Sequence, residues 1–247
     1  MNVYGLIGFP LTHSFSKRYF TEKFEKEGIQ NCKYDLFEIR EATELPSVIS
    51  SQPLLKGLNV TIPHKEAVIA MLDELDPAAR KIGAVNVIKV TEENKLKGYN
   101  SDYYGFKNSL IKFLGDEAPK SLKALILGTG GAAKAVIAAL DDLDISFKMV
   151  SRSGSQYLLS YDDLNANILA EYRLIINTSP LGMYPKVDTC PAIPYDFITE
   201  KHYLFDLVYN PEETLFMKKG AAQGAKTKNG LEMLHLQAEK AWEIWNS

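Results

Sequence analysis

Apolar residues along this chain follow two rhythms that take turns. "VYGLIG", "CKYDLFEI" and "LKGLNVTI" are short apolar runs with strand character, while "SKRYFTEKFEKEG" spaces its apolar residues along one face of a helix. "AVNVIKV" and "TEENKLKGYN" predict a hairpin with "EEN" at its turn, after which "DYYGFKNSLIKFL" returns to helical spacing. Beyond the turn residues "GDEAP" the pattern restarts. A strand "KALILG" leads into the glycine-rich turn and alanine-rich helix "TGGAAKAVIAAL". Further strands follow at "FKMVS", "RLIINTS", "YLFDLVY" and "AKTKNG", and "LEMLHLQAEKAWEIW" closes the chain as an amphipathic helix. Strands alternating with helices are the grammar of βαβ units. The reading is an α/β protein of two domains. Residues 1–101 with 230–247 form an α/β substrate domain on a mostly parallel sheet, and residues 102–229 form a Rossmann-like domain. No internal repeat or low-complexity segment is present.

One stretch sits oddly in this pattern. In "NVTIPHKEAV", residues 59–68, an apolar run ends at Val60, Thr61 stands where a cap belongs, and Pro63 suits a first helical position, so the spacing predicts a helix with Lys65 in its first turn. The positive end of a helix dipole disfavours a cation there by roughly 0.3–1 kcal/mol. A solvated surface lysine tolerates that, but a lysine held for its chemistry explains the position as well.

Composition narrows the field. With 247 residues, 46% hydrophobic and 24% charged, and a net charge of −3, the chain suits a globular enzyme and has no basic excess to neutralise nucleic acid. The opening "MNVYGLIGFP" has neither a basic start nor an apolar stretch long enough for a signal peptide or a membrane span, so a cytoplasmic protein with no membrane partner is expected. Cys32 and Cys190 belong to no metal-ligand spacing and read as incidental reduced thiols; no metal site is expected.

The glycine-rich turn carries specific chemistry. Gly128, Gly130 and Ala133 in "GTGGAA" match the dinucleotide pattern G-x-G-x-x-G/A between a strand and a helix, with Gly131 and Ala132 inside it. The first glycine permits the tight turn, the second admits a pyrophosphate, and the small third residue lets helix and strand pack. A plain strand-to-helix turn is the bland alternative. An NAD site wants an acidic residue roughly 20 positions on, at the end of the second strand. Here "SRSGS" offers Arg152 with Ser151 and Ser153. A guanidinium pairs with a 2′-phosphate, which favours NADP(H), although a solvated loop arginine would look the same.

Several segments together resemble the shikimate dehydrogenase family from end to end. "GLIGFPLTHSFSK" is similar to its opening strand and Ser-x-Ser loop, "NVTIPHKEAV" to its lysine segment, and "IGAVNVI", "GYNSDYYGF", "INTSPLGMYP", "DLVYNPEETLF" and "GAKTKNGLEMLHLQAE" to its remaining motifs. The resemblance implies NADPH-dependent reduction of 3-dehydroshikimate in aromatic amino-acid biosynthesis, with a small-molecule substrate and a monomer or homodimer. It implies Lys65 and Asp102 as the acid–base pair. Ser14, Ser16, Thr61, Asn86, Tyr209 and Gln237 fall at substrate positions, and Gly230 and Met233 join the cofactor set. Lys65 as an ammonium is then the proton donor to the carbonyl oxygen, and Asp102 orients it; as a bland alternative, Asp102 is the N-cap of the helix it opens. His13 and His64 flank the key loops without a role. Two features depart from the family. Gln156 stands where a second basic residue is expected. About 20 residues separate "SRS" from "LIINTS", too few for the usual helix and strand, so a trimmed βαβ unit with a more open adenosine side is expected. Quinate/shikimate or aminoshikimate dehydrogenase, and a non-catalytic nucleotide-binding paralogue, are the competing readings.

Overall fold

Strand β1, Asn2–Gly8, is buried at every residue after the first, so it needs cover on both faces and becomes an inner strand. The computed structural model describes residues 1–11, 14–116 and 121–247. It divides into two units, Met1–Tyr104 with Leu236–Ser247, and Gly105–His235. The divisions fall inside two helices rather than at their starts, because each helix runs unbroken through the boundary.

In the first unit, α1 (Phe15–Lys26) and β2 (Cys32–Glu38) follow β1. Next come α2 (Leu45–Ser51), β3 (Leu55–Val60), β4 (Glu74–Leu75), α3 (Pro77–Ile82), β5 (Val87–Val90), β6 (Leu96–Tyr99) and the start of α4 (Ser101–Leu114). The sheet order is β2-β1-β3-β5-β6-β4. β1 runs parallel to β2 and β3, whereas β5 runs antiparallel to β3 on one side and, through the expected hairpin, to β6 on the other. Alternation in β1 then builds two cores. Val3 and Ile7 join Leu45, Leu58 and Ile88 on one face, and Tyr4 and Leu6 join Phe20, Tyr34, Ala241 and Trp245 on the other. The indole of Trp245 donates to the Ile88 carbonyl at 3.0 Å and lies flat against Gly57, where any Cβ would collide with the ring.

The second unit contains β7 (Ala124–Leu127), α5 (Gly131–Asp142), β8 (Phe147–Ser151), β9 (Leu159–Ser160), α6 (Ala166–Glu171) and β10 (Leu174–Asn177). β11 (Tyr203–Asp206), α7 (Leu215–Ala222), β12 (Lys226–Lys228) and the start of α8 (Leu231–Asn246) complete it. The order is β12-β11-β10-β7-β8-β9, all parallel. This is the doubly wound Rossmann arrangement, with its switch point between β7 and β10. β7, β10 and β11 are buried at every residue, which explains their unbroken apolar runs. The trimmed segment is visible: no helix joins β8 to the two-residue β9, and α6 is six residues long. No helix among the described residues is long and apolar enough to cross a membrane.

A charge cluster ties α4, β12 and α8 together within this unit. Glu232 meets Lys228 at 2.7 Å, Lys112 at 3.1 Å and the Ser109 hydroxyl at 3.0 Å. Burial alone would raise its carboxyl, but these partners outweigh burial and bring it from 4.5 to about 2.

Two outcomes follow for stability. Trp245→Ala empties the aromatic core and should cost about 3–5 kcal/mol in urea unfolding; a loss below about 1 kcal/mol would refute the packing role. For Glu232 the folded carboxyl lies below its unfolded value, so its contribution is present above pH 4.5 and is lost as pH falls towards about 2. Glu232→Gln should therefore melt earlier than the parent at pH 7, with the gap closing as the pH is lowered to about 2. A gap independent of pH would rule out the charge cluster as its source.

Candidate active site

The chemistry of the first unit gathers where β1, β2 and β3 end. Thr61 N–H donates to the Ile7 carbonyl at 2.9 Å and Phe9 N–H to the Ile62 carbonyl at 3.1 Å, which laces the exits of β1 and β3 together. His64 is buried, with Nε2 2.8 Å from the Ile39 carbonyl after β2. The helix expected from Pro63 onward does not form. Lys65 lies in a turn, and only a short 3-10 stretch, Ala67–Met71, follows. The reason lies in the backbone accounting. The Lys65 carbonyl, which a helix would give to Ile69, accepts instead from Val85 N–H at 2.7 Å, and Ile69 N–H turns to the Glu66 carbonyl at 3.2 Å. Lys65 therefore opposes no helix dipole.

Its partner is set by two asparagines. Asn100 Oδ1 accepts from Tyr103 N–H at 3.0 Å, capping α4, while its amide donates to the Ala84 carbonyl at 2.9 Å. Asn86 Oδ1 accepts from Ser101 N–H at 2.6 Å, and its Nδ2 donates to Ser101 Oγ at 3.0 Å. With capping assigned to Asn100, the N-cap alternative for Asp102 falls away. Asp102, in the first turn where a carboxylate is favoured, accepts from Lys65 Nζ at 2.6 Å. The two side chains are 24% and 10% exposed, sheltered but open to one side.

The other expected residues of this unit are placed less tightly. Ser14 caps α1 by accepting from Lys17 N–H at 3.2 Å, which leaves its hydroxyl proton to donate. Ser16 lies beside the buried Tyr34 hydroxyl. Burial pushes that phenol up, and Ser16 opposes the rise. Tyr34 in turn donates to Asn59 Oδ1 at 2.7 Å. Thr61 and Gln237 are half-buried, and His13 lies outside the described residues. Lys65 and Asp102 are thus joined directly, and Asn86 connects to them through Ser101.

In the second unit, Gly128 has φ +117°, a conformation reserved for glycine, and an added Cβ would also press on Thr178 Oγ1 at 2.9 Å. Gly130 opens α5 without any side-chain cap, so the Gly131 and Ala132 N–H groups keep donor capacity while Ala133 N–H goes to the Gly130 carbonyl at 3.0 Å. A Cβ on Gly130 or Gly131 would meet nothing within 4 Å. That open space above bare donors fits a pyrophosphate. Ala133 is buried and Ala132 half-buried along the same helix. Arg152 is exposed just past β8, close enough to Tyr161 to oppose the burial that raises that phenol. Tyr209 is half-buried after β11, while Gly230 and Met233 are buried at the start of α8.

One cluster was missed in the sequence. Asp206 at the end of β11 is fully buried and accepts from two other fully buried residues, Asn177 at the end of β10 and Thr214 at the N-cap of α7. The signal was there: the apolar runs "LIIN" and "YLFD" each end on a polar residue that the sheet buries.

Comparison with known proteins finds relatives over nearly the whole chain. A family model described as the shikimate dehydrogenase substrate binding domain matches residues 6–88. The chain is 43% identical to the shikimate dehydrogenase (NADP(+)) of Clostridium beijerinckii, with 99% of this chain and 92% of that protein covered. Among solved structures, a shikimate dehydrogenase in complex with NADP+ superposes with a TM-score of 0.86 at 33% identity, covering 99% of this chain and 90% of that one. The Thermus thermophilus shikimate 5-dehydrogenase in complex with NADP(H) and shikimate gives 0.85 at 29% identity, covering 99% and 93%. The chain belongs to the shikimate dehydrogenase family.

Proposed function

We infer that this protein is an NADP-dependent oxidoreductase that reversibly reduces 3-dehydroshikimate to shikimate, a step of aromatic amino-acid biosynthesis. The observation that carries the reading is the Lys65–Asp102 pair at 2.6 Å, a proton donor held by a carboxylate beside the end of β3 in the mixed sheet of the first unit. NADPH, when bound, supplies the hydride for the carbonyl carbon. Gly130, Gly131 and Ala132 would hold its pyrophosphate through the open N-terminus of α5, with Gly128 making the turn that leads there and donating its own N–H to the Val150 carbonyl at 2.9 Å, and Ala133 letting α5 pack close. Arg152 would take the 2′-phosphate, and Gly230 and Met233 lie on the remaining cofactor segment.

The chain's own work is proton transfer and orientation. Lys65 as an ammonium donates a proton to the oxygen as it becomes an alkoxide, and stabilises the developing charge by an amount often worth about 3–4 kcal/mol. Asp102 accepts from the ammonium and fixes its direction. In the reverse direction the neutral amine takes the hydroxyl proton back. The substrate is a small polyhydroxylated ring acid, and the inventory matches it. Ser14 and Ser16 serve the carboxylate, and Thr61, Asn86, Tyr209 and Gln237 serve ring hydroxyls. Ser14 supports this with a free hydroxyl proton, and Asn86 with a second amide N–H beyond the one given to Ser101. The free thiols Cys32 and Cys190 support a reducing cytoplasmic setting.

The spectrophotometric test is shikimate-dependent reduction of NADP. Lys65→Ala should lower kcat by about 10²–10⁴ with the shikimate KM nearly unchanged, because the lost interaction acts in the transition state; near-normal turnover by a folded variant would sink the assignment. Arg152→Ala should weaken NADP by about 10- to 150-fold and NAD far less, the effect of losing one charge-assisted partner. Gln156 adds no second charge, so the parent's preference should also fall with rising salt. Equal loss for both cofactors would show that Arg152 does not read the phosphate.

A further inference from the structure

The reaction as derived gives Asp206 nothing to do, yet its carboxylate is completely buried. Its Oδ1 accepts from Val208 N–H at 3.0 Å and from Asn177 Nδ2 at 2.9 Å, and its Oδ2 accepts from the Thr214 hydroxyl at 2.6 Å. Each donor governs a different segment. Asn177 holds the turn after β10: its Oδ1 accepts from Ser179 N–H at 3.0 Å and from the Ser179 hydroxyl at 2.6 Å, and its Nδ2 reaches the Leu181 carbonyl at 3.3 Å. Val208 begins the turn after β11, and its carbonyl accepts from Gly230 N–H at 3.1 Å. Thr214 caps α7 by accepting from Met217 N–H at 3.3 Å. The two turns are also joined to each other, by Leu207 N–H to the Asn177 carbonyl and Tyr184 N–H to the Asn210 carbonyl, both at 3.0 Å.

We infer that Asp206 is a positioning residue for the cofactor: it pins the turns leaving β10 and β11 to each other and to the start of α8, and in its anionic form holds them in the geometry that binds NADP. The inference rests on the reading of the second unit as the NADP site. Gly230 is tied to this carboxylate through Val208, and Met233 follows on the helix that Gly230 precedes. They stand at the C-terminal edge of the sheet, where doubly wound folds bind their ligands. A buried charge is a poor way to stabilise a fold, since a neutral group of similar shape usually does as well or better. What an anion does that a neutral group cannot is accept from all three donors at once.

The same geometry makes the tie sensitive to acid. Burial pushes the Asp206 carboxyl from 3.8 to about 6, against the opposing pull of Thr214, Val208 and Asn177. The groups acting on it are neutral. Among the described residues, the titratable side chain it faces is the Tyr195 phenol, itself held protonated chiefly by burial. Once Oδ2 carries a proton it must donate, and Thr214 Oγ, already accepting from Met217, has to turn its own proton away. The folded value lies above the unfolded one, so the stability linked to this group is fully present below pH 3.8 and is lost as pH rises through about 6. Stability and cofactor affinity therefore respond to Asp206 in opposite directions.

The test is equilibrium titration of the intact protein with NADP and with NAD between pH 5 and pH 8, alongside thermal melts. NAD is included because the 2′-phosphate of NADP itself titrates near pH 6. For the parent, both cofactors should bind more weakly below about pH 6. Asp206→Asn, nearly the same shape, should weaken both by about tenfold at pH 8, the scale of one hydrogen bond to a charged group, and remove the part of the pH dependence that they share. Its melting temperature at pH 8 should equal or exceed the parent's, which a purely structural residue would not allow. Thr214→Val should weaken binding and move the midpoint to higher pH, and Thr214→Ser should restore both. Unchanged affinity in Asp206→Asn, or an unaltered pH dependence, overturns the inference alone. Failure of the parent to bind either cofactor would instead overturn the NADP reading on which it stands.

Discussion

An ammonium and a carboxylate 2.6 Å apart, drawn from positions 65 and 102, set the requirement that organises the first unit. Neither partner can be supplied by its own segment. The turn holding Lys65 is fixed from outside, by Ile7, Ile39 and Val85, and the helix start holding Asp102 is fixed by Asn86 and Asn100. The strands that bring those anchors together are the middle of the sheet, β1, β3 and β5. The pair is thus positioned by main-chain bonds to Ile7 and Val85 and by the locked side chains of His64, Asn86 and Asn100.

The second unit solves a different problem with almost no charge. On the proposed reading a pyrophosphate would be met by uncapped N–H groups and by space that two glycines leave open. Ionic recognition would then fall to Arg152, which is exposed and screened by water. Asp206, at the end of β11, is fully buried and is bound by Val208 N–H, the Asn177 amide and the Thr214 hydroxyl.

Much of this was legible in the residue pattern, and the failures are instructive. The hairpin, the glycine turn and the trimmed link between β8 and β10 could be read because each depends on local spacing. The helix assigned to Lys65 could not be corrected locally. Thr61, Pro63 and the apolar spacing that follows all favour a helix, and what defeats it is a carbonyl given to Val85, a partner twenty residues along the chain. Capping by Asn100 rather than Asp102 was close in sequence yet ambiguous, since both side chains can accept from a first-turn N–H. The cluster of Asn177, Asp206 and Thr214 escaped because it has no motif. Asn177 and Asp206 end apolar runs that only the register of two parallel strands brings together, and Thr214 joins them from the cap of α7.

The missing helix between β8 and β9 bears on how the protein behaves in a crowded solution. Trimming there leaves an outermost strand of two residues, and the opposite edge is β12, whose three residues are Lys226, Thr227 and Lys228. An edge strand invites another chain to add to it only when it offers a run of unpaired main-chain groups without charge in the way. One border is too short for such a run and the other is flanked by lysines. The shortened fold thereby guards both margins of its sheet against self-templated aggregation without a covering helix.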